Sequence, residues 1–190
     1  MTAFRPFPLL GEPLALDLVN TRAHLGGVDV DLLDGPRALD RWLRAERSRI
    51  AWTGHADAAD LAAVIALRGV LDPLLRAHVA RTPGPAAAVR GLNRALAIAL
   101  PQPRLEWTRG GPRKRAASDG ARRATLLRQL AGSALELLTG ADAARVRRCA
   151  HPDCILLFVA GNPRRRWCAS STCGNRARVA RHYVRQQQAG

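Results

Sequence analysis

The chain has 190 residues, 47% of them hydrophobic, enough for one ordinary core plus a small module and too apolar for a disordered tail. Its net charge is +15, and residues 145–190 carry ten Arg against Asp153 alone, the footprint of a polyanion binder that gains affinity by releasing counterions from phosphates. No uncharged apolar run of about 18 residues and no secretion-signal pattern occurs, so a cytoplasmic protein with no membrane partner is expected.

In chain order, LALDLVN at 14–20 follows Pro13 and predicts a short buried helix. Gly26-Gly27 breaks the pattern, and VDVDLL at 28–33 alternates like a half-exposed strand. Asp34-Gly35-Pro36 opens a helix carrying Leu39, Trp42 and Leu43. Residues 57–81 place Leu61, Val64, Leu71, Leu74 and Leu75 at helical steps, with a kink expected at Pro73. A helix over about 86–100 should stop at Pro101 and Pro103. RLEWT at 104–108 reads as a strand, turning at Gly110-Gly111-Pro112 into a return strand through RKRAA. The segment 120–139 predicts a helix ending at Gly140. These pieces give an α+β protein: a mostly α-helical N-terminal domain, residues 1–140, with one small β-sheet, and a small C-terminal module, residues 145–190, that holds Cys149, Cys154, Cys168 and Cys173 at zinc-ligand spacing and ends in a basic helix. The first domain lacks cysteine, so its core should be separable in stability from a metal-dependent module.

All four cysteines fall late, as CAHPDC and CASSTC: C-x4-C, thirteen residues, C-x4-C. Two such knuckles can present Cys149, Cys154, Cys168 and Cys173 at the corners of a tetrahedron, the arrangement of one structural zinc with no open position for catalysis. His151 and His182 are the alternative ligands, and a redox or disulfide role is the competing use of the thiols. In the last helix Arg178, Arg181, His182 and Arg185 form a basic stripe, and Ala177, Ala180 and Val184 an opposite stripe expected to dock. Arg164, Arg165 and Arg166 precede a metal ligand and join Arg176, Arg178, Arg181 and Arg185 as candidate nucleic-acid contacts. Trp167 is expected to serve as module core more than as a stacking platform. Gly174 is expected to supply a backbone shape closed to other residues, and Asn175 and Arg176 could fix the helix start.

The run RRRWCASSTCGNRARVARHY, Arg164 to Tyr183, resembles the signature of CGNR-type zinc fingers, and LALDLVNTR at 14–22 is similar to the apolar run ending in Asn-Thr of the ABATE domain that precedes such fingers. The resemblance implies a stress-induced transcription regulator, with a finger that binds double-stranded DNA and a larger domain that senses a small-molecule effector. The chain departs from the family in the loop Val159-Ala160-Gly161-Asn162-Pro163, where an Asp-x-Ser-Arg-like sequence is usual.

Residues 1–140 contain no nucleophile-base pattern, phosphate loop or dinucleotide fingerprint, so no enzyme is expected. Asp17, Asn20, Thr21 and Arg22 either line an effector pocket or cap and orient the first helix, capping being favoured. His24, His55 and His78 read as ordinary surface or core histidines. The leading expectation is a zinc-dependent DNA-binding regulator. An RNA- or ribosome-associated zinc protein is the runner-up, a cysteine-based redox enzyme comes third, and homodimerisation is open.

Overall fold

The computed structural model describes residues 7–8, 11–99, 105–114 and 119–189. Helix α1 (Leu14–Val19) starts behind Pro13, and all six of its residues are buried. A helix buried all round belongs in the middle of a core, and α1 packs against α3 (Ala58–Ala80) and α5 (Asp119–Thr139) while Asp17 is paired with Arg49. Between α1 and α3 in the chain, α2 (Pro36–Ala45) opens on its proline and buries Leu39, Trp42 and Leu43. Helix α3 begins at a reciprocal cap, Asp57 accepting from the Asp60 N–H and Asp60 from the Asp57 N–H, and stops at left-handed Arg81. It runs on through Pro73 as one helix. Helix α4 (Ala86–Leu96) is shorter than expected, and Pro101 and Pro103 lie outside the described residues.

Among the described residues the small-sheet part of the expected α+β fold takes the form of three two-stranded antiparallel sheets. Strand β1 (Arg22–Leu25) pairs with β2 (Val28–Asp31) across Gly26-Gly27, whose φ angles of 62° and 82° suit a two-residue hairpin turn. The sequence reading had the second strand and the break but not β1. Strands β3 (Leu105–Thr108) and β4 (Gly111–Lys114) form the anticipated hairpin, with residues 104 and 115–117 of the expected strands outside the described ones. After α5 and a 3-10 turn at Ala143–Arg145 come β5 (Val146–Arg148) and β6 (Leu157–Val159), then a π-helical turn at Ser170–Gly174 and α6 (Asn175–Ala189).

The expectation of separable cores meets a different arrangement. Alternation along β6 sends Leu157 and Val159 into the main core with Leu16, Leu71 and Leu130, while Leu156, Phe158 and Ala160 join the cysteines in a second cluster. Val146 of β5 also sits in the main core, and Ala23 of β1 in the cysteine cluster. One strand thus serves two cores. Its outer edge is satisfied by side chains: the Asn20 amide donates to the Leu157 carbonyl at 2.9 Å and accepts from the Leu157 N–H at 3.0 Å. Glu12 accepts from the Val159 N–H at 2.6 Å. Buried backbone groups on a sheet edge need partners, and here the flanks of α1 supply them.

Candidate metal centre and basic surface

The first knuckle closes when the Cys149 N–H donates to the Leu156 carbonyl at 3.0 Å and the Cys154 N–H to that of His151 at 3.1 Å. The Ala150 N–H donates to the Arg166 carbonyl at 2.9 Å and ties it to the approach of the second. All four cysteines are buried, and their sulfurs lie within 4.8 Å of one another. Cys154 Sγ is 3.9 Å from Cys168 Sγ, which is 3.6 Å from Cys173 Sγ. Four sulfurs at about 2.3 Å from one zinc would stand about 3.8 Å apart, whereas a disulfide needs about 2.05 Å. His151 and His182 are not among the clustered ligand atoms.

The thiols repel and share protons at this range. Hydrogen bonds from Cys154 and Cys168 hold the Cys149 thiol well below its ordinary range, and the Cys149 interaction pushes Cys154 up to about 12. A divalent cation at the centre of the cluster would hold all four as thiolates. Around it, the Cys168 N–H donates to Cys149 Sγ at 3.4 Å, and the Arg176 guanidinium to Cys173 Sγ at 3.4 Å. These donors offset the negative charge that four thiolates leave on a divalent ion. The centre fits one structural zinc ion, whose chemistry when bound is to hold the knuckles together through a closed sulfur shell.

The second knuckle passes through the π-helical turn into α6, with the Gly174 N–H donating to the Ala169 carbonyl at 3.0 Å. Gly174 is needed for space rather than for an unusual φ: a Cβ there would stand 3.3 Å from Trp167 Cδ1. Trp167 is half-buried against the cysteine cluster, the core role expected.

The candidate cations divide. Arg164 and Arg166 are exposed, but Arg165 turns inward. It donates to the carbonyls of Trp167, Val159 and Cys168, pairs with Glu12, and lies 4.5 Å over the Phe158 ring. Arg178, Arg181 and Arg185 are exposed along α6. So is the stripe expected to dock: Val184 is 52% exposed, Ala180 is exposed, and only Ala177 is half-buried. The helix packs on the π-helical turn that launches it, so both faces are presented. That corrects the docking expectation. It was drawn from spacing, which reports amphipathicity and says nothing of what covers the apolar side.

Asp17, Asn20 and Thr21 are buried and engaged in contacts of the fold. Asp17 pairs with Arg49, Asn20 holds Leu157, and the Thr21 hydroxyl donates to the Leu18 carbonyl and accepts from Arg68. Arg22 alone lines a groove of about 490 Å³, shared with Asp31, Arg68 and Ile155. Sequence reasoning missed Glu12 and Arg165 as supports of the finger, because nothing local marks a side chain that reaches across more than a hundred residues. His24, His55 and His78 meet Asp29, Asp40 and the Ala143 carbonyl, ordinary structural contacts.

A family model named ABATE, described as "Putative stress-induced transcription regulator", matches residues 12–141. The chain belongs to the ABATE family. A second model, the CGNR zinc finger, matches residues 145–186. No curated protein matches the chain. The ABATE region and the finger meet where Asn20, Glu12 and Ala23 abut β6 and the cysteine cluster, so the Asn-Thr end of the α1 segment supports the finger. Both families are of regulator or zinc-finger type, and the chain is a zinc-binding member of that architecture. Among the described residues, no helix is long and apolar enough to cross a membrane.

Proposed function

We propose that the chain is a zinc-dependent transcription regulator that binds double-stranded DNA through its C-terminal finger. The supporting observation is the stripe of exposed Arg178, Arg181 and Arg185 on a helix that starts directly after a metal ligand, with exposed Arg164 and Arg166 on the same module. Zinc fixes where the helix starts, and the arginines neutralise phosphates. Arg165 and Arg176 hold the module together and leave phosphate contact to their neighbours.

Titrating a labelled duplex at several salt concentrations tests this reading. Each of Arg178→Ala, Arg181→Ala and Arg185→Ala should lower the slope of log affinity against log salt by roughly 0.9 while zinc content and circular dichroism stay unchanged. Parental affinity and slope in all three would reduce the stripe to a solvated face. Tighter binding of single-stranded RNA than of duplex at matched salt would move the assignment to an RNA-binding protein.

A further inference from the structure

The β3–β4 hairpin carries an unusual surface. Trp107 is 76% exposed and Leu105 72%, whereas Trp42 is fully buried and Trp52 and Trp167 are half-buried. Residues two apart on a strand share a face, and the register sets Pro112 opposite Trp107 and Lys114 opposite Leu105. Among the described residues the two strands pair only with each other. The turn is fixed in advance, since the Thr108 hydroxyl donates to the Gly111 carbonyl at 3.0 Å and accepts from the Gly110 N–H at 3.2 Å.

Charge selects the partner. From 105 to 114 the hairpin bears Arg109, Arg113 and Lys114 against Glu106. Two copies laid edge to edge would set like charges together, which opposes self-pairing. The surface asks for a polyanion that also offers flat apolar faces, and nucleic acid has both, phosphates outside and base or sugar faces within reach of an aromatic wedge. In the chain the hairpin lies ahead of α5 and the finger behind it.

We propose that the β3–β4 hairpin is a second nucleic-acid contact, in which Trp107 packs against bases or sugars and Arg109 and Arg113 meet phosphates. This rests on the reading that the chain binds DNA and adds a site outside the finger.

The experiment uses the full-length zinc-loaded protein and a 24-base-pair duplex (about two turns), read by fluorescence anisotropy across a salt series. The variants are Trp107→Ala, the pair Arg109→Ala with Arg113→Ala, and the triple Arg178→Ala, Arg181→Ala, Arg185→Ala. Circular dichroism and zinc content establish that each is folded. Trp107→Ala should weaken binding roughly ten-fold, and the arginine pair should lower the salt slope by about 1.8. Duplex should also shield Trp107 from acrylamide, seen as lost quenching in the parent and no such loss in Trp107→Ala. Parental affinity and slope in both hairpin variants, with binding lost in the triple, would overturn the hairpin site and leave the finger reading intact. Binding lost in the hairpin variants but kept in the triple would keep the hairpin site and overturn the finger reading. A parent that binds no duplex overturns both. Preference for anionic vesicles over duplex at matched salt, or self-association that Trp107→Ala abolishes, would assign the surface to lipid or to a second copy and overturn the proposal.

Discussion

Replacing Asn20 by Ala removes both partners of Leu157 on the outer edge of β6. Asn20 is 2% exposed and Leu157 1%, so water cannot take the vacated places without opening the core. Each buried backbone group left unsatisfied costs about 1–3 kcal/mol, so the pair should cost about 2–4 kcal/mol after partial relaxation. That is a large fraction of the stability of a chain this size. The loss should be concentrated at β6, which carries the exit from the first knuckle. Urea unfolding followed by circular dichroism gives the total, and zinc release to a chromophoric chelator gives the local component. If the module opens before it releases metal, 2–4 kcal/mol corresponds to roughly 30- to 1,000-fold faster release. Asn20→Asp separates hydrogen bonding from shape, because it keeps the acceptor for the Leu157 N–H and sets an anion against the Leu157 carbonyl, so it should be at least as damaging. A cost below about 0.5 kcal/mol, the size of an ordinary surface change, would show that the two bonds do not hold the strand. A full-sized cost with unchanged zinc release would show that they do not support the finger.

Other outcomes follow from the same contacts. Cys168→Ser should take the metal from one zinc per chain to none, measured by mass spectrometry on protein purified without added zinc; full retention would dismiss the four-sulfur centre. Chelation should lower the melting temperature of the whole chain, because Val146 and Leu157 lie in the main core, and a main transition left in place would contradict the shared packing. Gly174→Ala should cost about 1 kcal/mol, as Trp167 must give way by a few tenths of an ångström; an unchanged denaturation midpoint would count against that contact. Burial acts to raise the Asp31 carboxyl, but the Arg68 hydrogen bond and the Leu33 N–H outweigh it and hold it below its ordinary 3.8. Its stabilising contribution is therefore complete above that value and lost as pH falls through the depressed one. Asp31→Asn should flatten the acid limb of the stability curve below about pH 4, and identical limbs would reject the linkage.

The long helices were legible because each has enough residues for a period to show, as Val64, Leu71 and Leu75 do in α3. The four-cysteine spacing was legible because thiolate ligation needs few residues in fixed order. Strands β1, β5 and β6 were not, since three or four residues carry almost no periodicity, and β6 has apolar residues on both faces. Asn20 was singled out among polar groups beside the α1 segment but assigned to a cap or a pocket. Its true neighbour is 137 residues away, and no local pattern encodes that distance. Arg165 was read as one of three equivalent cations, although a carboxylate at residue 12 and carbonyls around the second knuckle distinguish it. The free apolar face of α6 marks the limit of amphipathic reasoning, which finds a face and leaves its occupant unnamed.

The pairing of Asn20 with Leu157 also sets an order of events during synthesis. The α1 segment leaves the ribosome early, but its side-chain partner is made 137 residues later, so the nascent helical region must wait with an unclosed seam at Asn20 and Glu12. Contacts of such separation pay their loop-closure entropy late and slow folding. The two knuckles, whose ligands run only from Cys149 to Cys173, close over a short loop once both have emerged. Leu157 and Val159 lie between the two knuckles, so the seam becomes available before the last ligand, Cys173, is made, and a zinc-starved cell would accumulate chains whose seam rests on an unclosed finger open to chaperones and proteases.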